Sequence, residues 1–218
     1  KFKHHPMIKG MLEGGKRISY GARAITEGGY QSIPKLAFPG GLILGCSAGL
    51  VNVPRIKGNH NAMLSGITAA EIACKAIKEG FQNTELKEYD KEIKDGKVGS
   101  DLKPVKNVKP IWSRFGLLAS LIIGGIDMWI ANLSGINIFG TLKHGKSDAK
   151  STKPAKNFKE IEYPKPDGKI SFDRLTNVSF SGTNHEENQP CHLFLKNKNI
   201  PIKKNLPLFA EPDQRYCP

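Results

Sequence analysis

Cysteine is scarce in this sequence. Four thiols are spread over 218 residues (Cys46, Cys74, Cys191 and Cys217), and none lies near another. That spacing excludes a disulfide scaffold and fits a reducing compartment. The six histidines contain no pair at zinc-finger or zincin spacing, so they are expected to be structural or hydrogen-bonding groups. No Gly-x-Gly-x-x-Gly follows a strand pattern, no segment repeats, and the first residues carry no signal- or transit-peptide pattern. Acidic residues are in the minority: 20 Asp+Glu against 33 Lys+Arg leave a formal charge of +13. A basic surface suits nucleic acid, anionic lipid or an acidic protein, and it also describes an ordinary Lys-rich solvated face. The lysines are scattered and interleave little with aromatic residues, which counts against nucleic acid as a partner.

What is present is concentrated between Leu36 and Gly80. The apolar run Leu42-Ile43-Leu44 ends in Gly45-Cys46-Ser47-Ala48-Gly49, and a helical pattern opens at Lys57-Gly58-Asn59-His60. The reading is a strand buried on both faces, a glycine-rich loop and a helix. Small residues at Ala62, Gly66, Ala69 and Ala73, with Ile77 beyond them, are expected to form the buried stripe of that helix, and Gly80 to stop it. A helix start presenting free N–H groups attracts a phosphate or the electron-rich edge of a flavin ring. The glycines around Ser47 also satisfy Gly-x-Ser-x-Gly, but no Asp and His follow it in a recognisable triad order.

Further along, the pattern predicts a second helix from Thr84 to Lys94 with Thr84 as its cap, then a polar linker from Asp95 to Pro110. A short strand is expected between Ser19 and Ile25. Alternation at 170–173, 178–181 and 192–195 predicts strands in a β-rich final layer. Between Trp112 and Phe139 lies the one long apolar stretch, interrupted by Asp127. A spanning helix needs about 20 apolar residues, and a carboxylate inside one is unfavourable. A buried core helix, a spanning helix and a surface-inserted segment all remain open. Arg114 before the stretch and Lys143, Lys146 and Lys150 after it favour the last, with Phe115, Leu118, Leu121, Ile122, Ile126 and Trp129 as the membrane-facing residues. Asp127 is expected to turn to solvent or the headgroup region rather than to mark a quinone pocket.

The sequence around the loop, Gly45-Cys46-Ser47-Ala48-Gly49 through Asn59-His60, resembles the second flavin-binding motif of the electron-transfer flavoprotein–ubiquinone oxidoreductases, which are glutathione-reductase-like flavoproteins. The resemblance continues through Glu13-Gly14-Gly15-Lys16-Arg17, Tyr20-Gly21-Ala22-Arg23 and Glu27-Gly28-Gly29-Tyr30-Gln31-Ser32-Ile33-Pro34-Lys35. It resumes at Glu162-Tyr163-Pro164-Lys165-Pro166-Asp167-Gly168 and Ser181-Gly182-Thr183-Asn184-His185-Glu186, and ends at Gln214-Arg215-Tyr216-Cys217-Pro218.

The resemblance implies an α+β or α/β fragment with three parts. Residues 1–80 would be part of a glutathione-reductase-like FAD domain with some quinone-domain contribution. Residues 81–145 would be a helical region with a ubiquinone-binding and membrane segment. Residues 146–218 would lead into a small iron–sulfur domain. Gly45, Cys46 and Ser47 would approach the ribityl and pyrophosphate of FAD, and Lys57, Gly58, Asn59 and His60 its pyrimidine edge. The family usually has Pro where this chain has Ala48 and Thr where it has Asn59, so the flavin potential is where this chain is expected to differ. Cys217 would be the first ligand of a 4Fe–4S cluster whose other three cysteines are absent from this sequence, so the fragment alone is expected to hold no cluster and to be inactive. Lys1 and the missing nucleotide fingerprint lead to the expectation of a C-terminal portion. The implied function is electron transfer from reduced electron-transfer flavoprotein to ubiquinone at the matrix side of the mitochondrial inner membrane, or at a bacterial cytoplasmic membrane, without nucleic acid. A geranylgeranyl-reductase-like flavoprotein and a non-catalytic basic membrane-surface module are the alternatives.

Overall fold

The computed structural model describes residues 2–191 and 194–212. The chain divides into two compact units, one made of Ile25–Ser151 and the other of Lys1–Ala24 with Thr152–Pro218.

The central unit is organised around helix α2 (Asn59–Lys78). Ahead of it, strands β1 (Ala37–Phe38) and β2 (Gly41–Leu42) form a tight antiparallel hairpin, with Ala37 opposite Leu42. The expected strand buried on both faces is therefore absent: Leu44 is 40% exposed. The helix is where the pattern puts it, and Gly80, at φ 78°, receives the chain just past its end. Its buried face is rotated from the expected stripe. Asn61, Ser65, Ala69 and Ala76 are buried, and Ile77 is exposed. The cause is polar: Ser65 Oγ accepts from Gly45 N, and Asn61 Nδ2 donates to Leu50 O, so these two side chains turn inward.

Helix α3 (Lys87–Asp95) begins later than predicted, and Thr84 does not cap it; its hydroxyl donates instead to Phe81 O. Tyr89 and Ile93 are fully buried beside Leu36, Leu50, Val98 and Leu102. Burial of each such side chain stabilises by about 1.5–3 kcal/mol. Asp90 accepts from Leu36 N and Ala37 N at 2.9 and 3.0 Å, pinning β1 to α3. The supposed linker after α3 is packed structure: α4 (Lys97–Leu102) buries Val98, Gly99 and Leu102. A Cβ at Gly99 would lie 1.8 Å from Lys94 O, so only glycine allows the sharp α3–α4 junction.

Helix α5 (Val108–Ser134) is two arms rather than one rod. Gly116 leaves helical geometry at φ 70°, ψ −174°. Beyond it the chain folds back. Asn107 Nδ2 donates to Asp127 at 3.1 Å, and a Cβ at Gly124 would touch Ile111. Positions 107 and 111 thus pair with 127 and 124 in antiparallel order, with Phe115 to Leu118 at the tip. Asp127 is 2% exposed, which corrects the expectation that it faces solvent or headgroups. Its carboxylate accepts from Asn107, Asn137 and the Phe139 backbone, fastening the strap 135–143 against the hairpin. α6 (Asp148–Ser151) ends this unit.

The second unit contains α1 (Pro6–Leu12), α7 (Arg174–Phe180) and α8 (Leu206–Phe209), the last preceded by a π turn over Pro201–Asn205. The Arg17 guanidinium lies between the rings of Phe172 and Phe180, 3.7 and 4.0 Å from their centroids, and donates to Asn177 Oδ1. The strands expected at 170–173 and 178–181 are a bend and helix α7, and 19–25 forms no strand. Two aspartates override the alternation. Asp167 accepts from the backbone N–H groups of Lys169, Ile170 and Ser171, and Asp173 caps α7 through Thr176 N. Backbone hydrogen bonds hold the Asp167 carboxyl well below the usual carboxylate range. His192 and Leu193, in the third expected strand, lie outside the described residues.

Candidate functional site

The glycine-rich turn and the start of α2 form one assembly. Gly45, at φ 57°, sits so close to the helix that a Cβ there would lie 3.0 Å from Ala62 Cβ. A Cβ at Gly58 would lie 3.2 Å from Val51 Cγ2 and 3.3 Å from Cys46 Sγ. An Asn52–Lys57 bridge closes the loop between them. The structure therefore packs the Gly45–Cys46 turn against the start of α2 at Gly58 and Ala62. Ser47, Lys57 and Asn59 are exposed there, and Cys46, Gly58 and His60 are half-buried.

No side chain caps this helix, and the first amide to return a bond is Ala62 N, to Gly58 O at 2.8 Å. The N–H groups of Asn59, His60 and Asn61 precede the ladder, leaving a partial positive charge at an open edge. That donor set fits the electron-rich pyrimidine edge of a flavin.

Sequence reasoning missed the group that holds this edge. Asp101, on the stretch read as a linker, accepts from Asn52 Nδ2, Arg55, Asn61 Nδ2 and the His60 ring, each at 2.9–3.0 Å. The His60 ring is thus turned to Asp101, and it is the backbone of that residue that belongs to the helix start. Burial pushes the Asp101 carboxyl up, but hydrogen bonds from Asn52, His60 and Asn61 and the Arg55 charge outweigh it and hold the group below its ordinary range. A cavity of about 510 Å³ opens between Asp101 and the second arm of α5, polar at Asn52, Arg55 and Ser100 and apolar at Met128, Trp129 and Leu133.

The hairpin has its polarity reversed. The buried residues of its second arm are small or polar, Ser120, Gly124, Asp127 and Ala131, and they pack beside Pro110 and Ile111 of the first. Its outer face carries Leu118, Leu121, Ile122 and Trp129, exposed by 65–78%, with Phe115 and Ile126 just over half exposed. All six residues named from the sequence as membrane-facing lie on that surface.

Over its whole length this chain is 50% identical to the mitochondrial electron transfer flavoprotein–ubiquinone oxidoreductases of Rattus norvegicus and Homo sapiens, and 48% identical to that of Arabidopsis thaliana. Residues 168–218 match the family described as electron transfer flavoprotein-ubiquinone oxidoreductase, 4Fe-4S. All of this sequence is similar to one part of the electron transfer flavoprotein–ubiquinone oxidoreductases. The chain spans about a third of the length of these relatives: 36% of the rat and human proteins and 33% of the Arabidopsis one. Within the oxidoreductase 4Fe-4S match falls Cys217, the residue named as a cluster ligand; it lies outside the described residues. Among the described residues, no group of three His, Cys, Asp or Glu side chains is placed to hold a metal ion.

Proposed function

We propose that this chain is the C-terminal portion of an enzyme that carries electrons from reduced electron-transfer flavoprotein to ubiquinone at the matrix face of the mitochondrial inner membrane. The observation that carries the reading is the half-identity to such oxidoreductases along all of the chain. Bound FAD would supply one-electron chemistry, and a 4Fe–4S cluster would supply the relay.

The chain's own residues supply binding and position. The amides of Asn59, His60 and Asn61 would donate to the flavin's pyrimidine edge, and the Gly45–Ser47 turn would let backbone approach the ribityl chain. Asn59 offers an amide where the family usually has a hydroxyl, which alters the hydrogen bonding that sets the potential. The apolar outer face of α5 rests in the membrane interface. The first arm, before the break at Gly116, has only about 8 residues or roughly 12 Å, too short to cross the hydrocarbon core, so the hairpin enters one leaflet rather than crossing both. The cavity between Asp101 and Trp129 gives an amphipathic quinone head a place beside that face. Cys217 would supply one thiolate of the cluster.

A geranylgeranyl-reductase-like flavoprotein is the less favoured reading, because the similarity runs on through 168–218. The test is Cys217→Ala in the full-length protein. It should abolish the four-iron paramagnetic signal and quinone reduction while flavin absorbance remains. A normal cluster signal would overturn the ligand assignment, and absence of flavin from the unaltered protein would overturn the reading itself.

A further inference from the structure

The hairpin is asymmetric in charge as well as in polarity. Its second arm, 117–134, carries one ionisable side chain, Asp127, and buries it. Its first arm carries Lys109 and Arg114. The strap 135–143 returns along the hairpin, held in turn by Asp127, Asn107 and finally Arg114, whose guanidinium donates to Lys143 O at 3.0 Å. This puts the exposed Lys143 within reach of the Arg114 guanidinium on the first arm, with the exposed Lys146 three residues further on. Lys109 is offset by Glu27 at 3.8 Å. Among the carboxylates whose side chains the structure describes, which leave out Asp148, none lies within ion-pair distance of Arg114, Lys143 or Lys146. Three cations with no described carboxylate partner therefore accompany the apolar hairpin, Arg114 directly before Phe115.

We propose that these cations recognise the phosphates of anionic phospholipids, so that the hairpin docks on a negatively charged leaflet rather than on any bilayer. The proposal rests on the membrane reading above and adds the chemistry of the surface. Apolar insertion of Phe115, Leu118 and Leu121 holds the tip. Arg114, Lys143 and Lys146 sit at headgroup depth, where each cation adds attraction to an anionic surface that falls off within a Debye length. A neutral leaflet would satisfy the apolar face and leave the cations without partners.

Full-length protein is mixed with vesicles of phosphatidylcholine alone or of phosphatidylcholine with phosphatidylglycerol, and binding is read by co-sedimentation. The wild type should bind the anionic vesicles more tightly and lose that advantage in high salt. The double variant Lys143→Gln/Lys146→Gln changes two exposed side chains that make no hydrogen bond to any described side chain or backbone group, and retention of the fold is checked by its unfolding curve. It should bind anionic vesicles roughly thirtyfold more weakly, and neutral vesicles as before. Leu121→Glu should weaken binding to both. Equal binding of wild type to both vesicles, with Leu121→Glu still defective, would overturn the charge proposal and leave the membrane reading standing. Binding to neither, or self-association through the Leu121 face, would overturn both.

Discussion

Helices α3 and α5 belong to the same unit and obey opposite rules. α3 turns Tyr89 and Ile93 inward and leaves Lys87, Glu88, Lys91 and Glu92 outside, the ordinary arrangement of a helix on an apolar core. The second arm of α5 turns Ser120, Gly124, Asp127 and Ala131 inward and leaves leucine, isoleucine and tryptophan outside. The difference separates two causes of stability. α3 is held by burial of apolar area. The hairpin is held by close packing of small residues and by a hydrogen-bonded carboxylate, with its apolar surface left for another phase. A helix that is apolar on its open side is informative because nothing inside the unit requires it.

The comparison is best broken by substitution. Tyr89→Ala should destabilise by about 3–5 kcal/mol, whereas Leu121→Ala, on the open face, should stay within about 0.5 kcal/mol, both read from denaturant unfolding. Similar losses at the two sites would make the hairpin's outer face ordinary core. Asp127→Ala should destabilise by about 3 kcal/mol, since the amides of Asn107 and Asn137 lose their buried acceptor. A neutral outcome there would remove the polar anchor from the account. Leu121→Glu should leave unfolding almost unchanged and weaken vesicle binding by roughly tenfold or more, which a flotation assay measures.

The smallest expected effect concerns pH. The Asp101 carboxyl is held below its unfolded value of about 3.9, so its contribution is complete above that pH and is lost as pH falls through the folded value. Unfolding measured from pH 5 down to 3 should show a steeper loss in the wild type than in Asp101→Asn. Parallel curves would mean that the four hydrogen bonds on Asp101 do not favour its charged form.

Local signals were legible where a single element decides the outcome. The α2 pattern, its glycine stop and the loop glycines can be read directly, and the Gly45–Cys46 turn does pack against the start of α2. Three features depend on contacts that no local pattern carries. The stretch 97–102 reads as linker because its helix is short and polar, and its packing depends on Gly99 meeting the end of α3. Asp101 has no neighbours in sequence that reveal its role, since its partners come from 52–61. The hairpin defeats the rule that polar residues face water, because its carboxylate finds two asparagines 20 and 10 residues away. In the second unit a signal was available. Asp173 followed three residues later by Thr176 is a helix start, and it outweighs the alternation that suggested strands.

The central claim is that the outer face of the α5 hairpin enters a lipid leaflet, and the chain carries a built-in reporter for it. Its two tryptophans, Trp112 and Trp129, lie on the two arms, 47% and 71% exposed. If other tryptophans in the full-length protein are replaced by phenylalanine, emission reports these two alone. Adding anionic vesicles should shift that emission to shorter wavelength, and lipids brominated along the acyl chain should quench it. Emission that keeps its water-exposed wavelength and is not quenched, while the protein remains folded, would contradict the account.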